Sequence, residues 1–282
     1  MTQWLNLFKN CVEDMFRSAS FIVCLFVSSF AFSQVDEVRR ITQTLCTPEF
    51  HGRGYVNSGD SIAAEFIAQE FKKAGLKPLK KSYFQSFSFP VNRFPNQAEV
   101  LQNGSELKMG IDVLVDPASP SFRGKLTPKL ISPEVALNEE KLIIALKEVL
   151  SNERFNAVAL DLSTSNVDTL KLLNEFSNEL AQFVPVIELT NEKFTWSVAS
   201  EQLKFPIFQL KSENYTAESE FEVKLDAELV ASYTSRNVIG YLPAAKKAKK
   251  TIVFSAHYDH LGRLGTKTYF PGANDNASGT AT

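Results

Sequence analysis

Apolar and polar positions change their spacing several times along this chain, and each change predicts an element. "VDEVRRITQTLC" has the pattern of a short amphipathic helix, and "TPEFHGRGYVNSGD" that of a glycine-rich loop. In "SIAAEFIAQEFKKAGLKP", Ile62, Phe66, Ile67 and Phe71 recur at helical spacing. Asp60 stands where it can cap that helix, and Gly75 with Pro78 closes it. The stripe is core packing and carries no chemistry. "YFQSFSF" alternates as a strand does.

Between about residues 94 and 229 the pattern changes. Strand-like runs "AVALDL", "VPVIELT" and "FPIFQL" take turns with the helical patterns "KLIIALKEVLS", "VDTLKLLNEFSNELAQF" and "EKFTWSVASEQLK". Strand and helix in alternation predict a small α/β layered unit. This stretch holds no histidine, no cysteine and no glycine-rich phosphate loop, which makes it a non-catalytic insert. Strand patterns return in "RNVIGYLPA" and "TIVFSAHYD", joined by "AAKKAKK". Lysines packed that densely repel one another unless water screens them, so the link is a solvated turn. "TIVFSA" is continuously apolar with β-branched residues, as a strand buried on both faces would be.

Ahead of these elements, Ala19 to Phe32 form an apolar run too short to cross a bilayer comfortably. The run ends with small Ala31 and is followed by Ser33, both at signal-peptidase positions, so residues 1–33 read as a signal peptide cleaved between Ser33 and Gln34. Glu13 and Asp14 spoil the positively charged lead-in; a start at Met15 would give "MFR" before the run. The alternative is a membrane anchor. Bulky Val23 before Cys24 argues against a lipoprotein. Export to the periplasm or the exterior follows. Of the three cysteines only Cys46 would then remain, so neither an intramolecular disulfide nor a cysteine-held metal can form.

Composition adds limits. At 282 residues, 44% hydrophobic and 22% charged, the chain can bury one large core or two ordinary ones. A formal net charge of −2 leaves no cationic excess to displace counterions, which argues against nucleic acid as a partner.

Candidate chemistry gathers at the carboxyl end, in "SAHYDHLG" and "GANDNASG". His257 and Asp259 follow the apolar run, at the edge of an α/β sheet where ligands bind. Two residues apart, they share one side of extended chain. Asp259 can accept a proton from one imidazole nitrogen and leave the other free for a metal. Asp275 offers two oxygens, enough to bridge two cations; its bland alternative is a helix cap. From spacing alone this is a candidate metal site and no more.

"FSAHYDHLG" followed by "PGANDNASGTA" resembles the two-metal zinc aminopeptidases, family twenty-eight of the metallopeptidases, which also contains the glutamate carboxypeptidase and transferrin-receptor type proteins. "GRGYVNSGDSIAAEFIAQEFKKAGLKP" is similar to that family's opening loop and helix, and "SRNVIGYLP" to the strand before its metal strand. The resemblance implies an α/β fold: a partial, mixed-sheet α/β/α peptidase domain in residues 34–93 and 230–282. A protease-associated-like α/β domain would interrupt it at 94–229. It implies two zinc ions, with His257 a ligand of one, Asp275 bridging both, and Asp259 the catalytic-site carboxylate behind His257. In the family a cis peptide often follows the bridging aspartate, here before Asn276. His260, Tyr258 and His51 receive no metal role. The implied reaction is hydrolysis of peptide or protein substrates by a metal-bridged water, with an aminopeptidase as the expected type. The family's catalytic glutamate and remaining ligands would lie beyond "ASGTAT". The expectation is therefore the front portion of an exported metallopeptidase, inactive alone. The alternative is a secreted, non-catalytic interaction module of the transferrin-receptor type.

Overall fold

A computed structural model describes residues 34–151, 154–164, 166–246 and 249–282. The signal peptide expected at 1–33 lies outside the described residues. None of the described helices is long and apolar enough to cross a membrane. Helix and strand are both substantial, and the architecture is mixed α/β.

Two sheets built within residues 98–225 face each other across the main core. One has five strands in the order Val113–Val115, Ile207–Lys211, Val186–Thr190, Ala157–Asp161, Pro128–Ile131. All its neighbours run parallel except the first pair. Helix-containing crossovers join two of the parallel pairs and the irregular segment 191–206 joins the third, because a parallel pair needs a long crossover. The other sheet is antiparallel, ordered Ser105–Glu106, Ala98–Gln102, Phe221–Leu225, Phe122–Leu126. Val100, Leu126, Ile187, Phe208, Leu210, Phe221 and Val223 fill the space between them. The second face of the five-stranded sheet is covered by the helices Glu139–Leu150 and Val167–Leu180, through Val149, Leu173 and Leu180.

A long ribbon, Phe84–Arg93 paired antiparallel with Glu228–Val238, leads into and out of that unit. A smaller core outside the two sheets joins the helix over 34–45, the helix Gly59–Lys73 and the carboxyl-terminal loop through Leu45, Phe50, Ala63 and Ala277.

Three expectations from the pattern fail. Residues 251–256 form no strand, and Ile252, Val253 and Phe254 are 81%, 79% and 93% exposed. An apolar run becomes a strand only when another strand takes up its backbone groups, and among the described residues none lies beside it. Residues 192–204 form no helix either. Their backbone and side chains are spent on tertiary bonds: Asn92 N donates to Ala199 O (2.7 Å), Leu203 N to Ala118 O (2.8 Å) and Trp196 Nε1 to Val115 O (2.8 Å). Asp60 is not a cap. It lies buried inside the first turn, accepting hydrogen bonds from Tyr233 Oη (2.6 Å) and Ser235 Oγ (2.7 Å). The other end of that helix closes as expected, with Gly75 at φ +79°.

One buried carboxyl in the five-stranded sheet has a consequence for stability. Glu188 accepts from Ser177 Oγ (2.7 Å) and Gln209 Nε2 (3.3 Å) and is 8% exposed. Burial raises its pKa from the ordinary 4.5, and the two hydrogen bonds only partly oppose this. The folded chain then binds more protons at this site than the unfolded one. Stability is fully present below pH 4.5 and is lost as pH rises through the folded pKa. Glu188→Gln should flatten that decline, with a gain of about 2–4 °C in Tm at neutral pH and none near pH 4. Parallel Tm–pH curves for the two proteins would contradict it.

Candidate functional site

The site is assembled from three segments distant in sequence, and a glycine-rich loop brings them together. Residues Pro48–Arg53 form a short 3-10 turn, followed by a bend to Ser58. His51, Gly52, Arg53, Asn57 and Ser58 all have positive φ. Such backbone is compact, and it lets the loop sit directly on residues 260–262. His260 N donates to Arg53 O and Gly262 N to Gly52 O, both at 3.1 Å. The approach is equally close at two glycines: a Cβ at Gly52 would lie 2.4 Å from Gly262 O, and one at Gly54 2.4 Å from Gly262 Cα.

Arg53 is completely buried. Its guanidinium donates to the carbonyls of Leu45 (2.8 Å), Tyr258 (2.7 Å), Pro271 (2.7 Å) and Gly272 (2.7 Å). One side chain thus fixes the end of the first helix, the chain beside His257 and the chain leading to Asp275. Burial lowers the Arg53 pKa, while Cys46, Asp259 and Asp275 act in the opposite sense.

His257 and Asp275 meet at the surface of this frame. His257 Nε2 is 3.1 Å from Asp275 Oδ1. The other ring nitrogen, Nδ1, lies 3.2 Å from the Asp259 carbonyl oxygen and 3.5 Å from Asp259 Oδ1. Both ring nitrogens thus face acceptors, Nδ1 the carbonyl and carboxylate oxygens of Asp259 and Nε2 the carboxylate of Asp275, and a cation entering between Nε2 and Asp275 would displace any proton held there. Asp259 is held on its far side by Tyr55, whose hydroxyl donates to Oδ2 at 2.9 Å. The peptide between Asp275 and Asn276 is cis. Asp275 caps no helix: the short helix Ser278–Ala281 has no side-chain cap.

His260 also faces Asp275, Nδ1 to Oδ2 at 3.5 Å, but only 11% of its side chain is exposed. Burial lowers its pKa, followed by the charge of Arg53. His51 faces Arg263 instead, 3.2 Å from Nδ1 to the guanidinium. Tyr258 turns inward, its hydroxyl bonded to the Arg236 carbonyl and its pKa pushed up to about 12, chiefly by burial.

Imidazole nitrogen and carboxylate oxygen are both zinc donors. Two donors at 2.0–2.2 Å from a tetrahedral ion stand ~3.3 Å apart, and the observed 3.1 Å is close to that. In kind and spacing the pair fits part of a zinc site. Among the described residues no group of three or more histidine, cysteine or acidic side chains converges on one point, whereas a catalytic zinc takes three protein ligands and a water.

Comparison with known proteins bears on this corner of the chain. Residues 237–282 match the family model for Peptidase family M28. The carboxyl-terminal segment is M28-like. Two solved structures share the fold. One is the aminopeptidase from Aneurinibacillus sp. strain AM-1, with a TM-score of 0.50 and 18% identity over 87% of this chain and 56% of that one. The other is a peptidase M28 precursor from Shewanella amazonensis, with a TM-score of 0.55 and 14% identity over 87% of this chain and 57% of that one. The chain therefore spans a little over half the length of the structures it matches. No curated protein matches it. The M28-like segment contains His257, Asp259 and Asp275 together. Arg53 and Tyr55, which position it, lie outside the matched residues and were not singled out in the sequence. An arginine set between two glycines in the loop was the available signal.

The close approach at Gly54 can be tested without touching the site side chains. Gly54→Ala should force the loop away from Gly262 and cost about 1–3 kcal/mol, read as a lower urea midpoint. An unchanged midpoint would show that the loop does not rest there.

Proposed function

We propose that this chain contributes to an exported zinc metallopeptidase of the aminopeptidase type, acting on peptide or protein substrates. The observation that carries the proposal is the 3.1 Å approach of His257 Nε2 to Asp275 Oδ1, with Nδ1 turned toward Asp259. The M28 match over the same residues and an aminopeptidase among the structures of similar fold support it. In this reading residues 94–229 are the inserted protease-associated-like domain, and 34–93 with 230–282 belong to the peptidase domain.

His257 and Asp275 would hold zinc, and zinc bound there would polarise a scissile carbonyl and acidify water. With a cation bound, Asp259 would accept the Nδ1 proton of His257 and so leave Nε2 to the cation. Arg53 stays clear of the pair itself and fixes the backbone on either side. These two donors are a partial set, so further ligands and a general base must come from elsewhere for turnover.

Two measurements test this. In calorimetric titration the 282-residue chain should bind zinc weakly, and His257→Ala or Asp275→Ala should abolish the heat. Binding that survives both substitutions would sink the assignment. On an amino-acid p-nitroanilide the same chain should show no hydrolysis above buffer. Zinc-dependent turnover would mean that the partial donor set is wrong.

A further inference from the structure

We propose that Tyr55 is a positioning residue for the candidate metal pair, acting on His257 through Asp259. The inference rests on the zinc reading above and extends it to a residue outside the M28-like segment. The chain of contacts is continuous. Tyr55 Oη donates to Asp259 Oδ2 at 2.9 Å, Asp259 Oδ1 stands 3.5 Å from His257 Nδ1, and His257 Nε2 stands 3.1 Å from Asp275 Oδ1.

Asp259 needs such an anchor. It is substantially exposed, with 43% of its side chain open to solvent. A carboxylate in that position turns freely about its side-chain torsions unless one oxygen is tied. Tyr55 supplies the tie from a rigid seat. Its ring packs edge-on against Phe89 (5.3 Å) and Tyr233 (5.1 Å), and its carbonyl accepts from Arg93 at 3.1 Å. Burial, followed by the charge of Asp259, raises the Tyr55 pKa, so the phenol stays a donor at every physiological pH.

With Oδ2 occupied, Oδ1 is the oxygen left for His257. The imidazole then keeps one ring orientation, with Nε2 toward Asp275. Without the hydroxyl, the Asp259 carboxylate can swing toward water, and only the Asp259 carbonyl oxygen, 3.2 Å away, remains beside Nδ1. A ring without the carboxylate behind it is a weaker base at Nε2 and a weaker ligand there.

The test compares wild type, Tyr55→Phe and Tyr233→Phe. Tyr233 belongs to the same aromatic cluster, but its hydroxyl serves Asp60 instead. In metal-free protein, the Nδ1 resonance of His257 should report the same hydrogen-bonded environment in wild type and Tyr233→Phe. In Tyr55→Phe it should shift toward that of a solvent-exposed ring. Titration with Co2+, followed by its visible absorption, should show about tenfold weaker uptake for Tyr55→Phe and unchanged uptake for Tyr233→Phe. Identical His257 spectra and Co2+ affinities in wild type and Tyr55→Phe would overturn the proposal. Equal changes in both tyrosine variants would also overturn it, since the effect would then be packing alone. Wild-type protein that takes up no Co2+ would overturn the zinc reading, a result the metal-free spectra keep distinct from the fate of Tyr55.

Discussion

A buried cation with no carboxylate in hydrogen-bond contact organises this end of the molecule. Taking a guanidinium out of water is costly unless its donors are filled. Arg53 meets that demand with four backbone carbonyls from three separate stretches. The demand works in reverse as well. If the loop carrying Pro271 and Gly272 moved away, two donors would be left empty in a dry interior. Arrangement of the loops and solvation of the charge are thus the same constraint. The glycines on either side serve it, since only residues without Cβ let the Arg53 backbone lie against Gly262.

The two-sheet unit is coupled to this frame at its edge. Trp196 stacks on Phe270 at 5.1 Å, and Gly265 N donates to Phe94 O at 3.0 Å. Lys267 reaches Glu99 and Glu106 at 2.9 and 2.7 Å, although exposed ion pairs of this kind add little to stability. The apolar contacts matter more. The Trp196 stack falls on the residue immediately before Pro271, so the position of that ring is felt by the chain that Arg53 holds. This also explains why 192–204 gives up helix: Phe194, Thr195, Trp196 and Val198 are weak helix formers, and Trp196 has an aromatic partner and a carbonyl waiting elsewhere.

Much of the fold was legible in the sequence because periodicity reports local structure. The helices at 139–150 and 167–180 and the strands at 157–161, 186–190 and 207–211 fall on the runs that suggested them. "TIVFSA" shows the limit of that method. Its composition says that it would suit a buried strand, but pairing is a property of two segments, and hydropathy reads only one. Asp60 fails for a related reason. A polar residue at a helix start looks like a cap until Tyr233 and Ser235, more than 170 positions away, are known to donate to it. The candidate site divides the same way. His257, Asp259 and Asp275 sit in short motifs that can be read directly, whereas Arg53 and Tyr55 act across about 200 residues.

Electrostatics distinguishes the two histidines that face Asp275. His260 is largely desolvated and lies near the Arg53 guanidinium, and both influences disfavour positive charge on or beside its ring. A cation drawn to His260 would have to approach a buried charge of its own sign with little water to screen it. His257 has more than half its side chain open, with two carboxylates around it. A divalent ion there would keep part of its hydration and meet negative charge on two sides. Distance alone would make His260 and His257 near-equivalent partners of Asp275; burial and the placement of Arg53 favour His257.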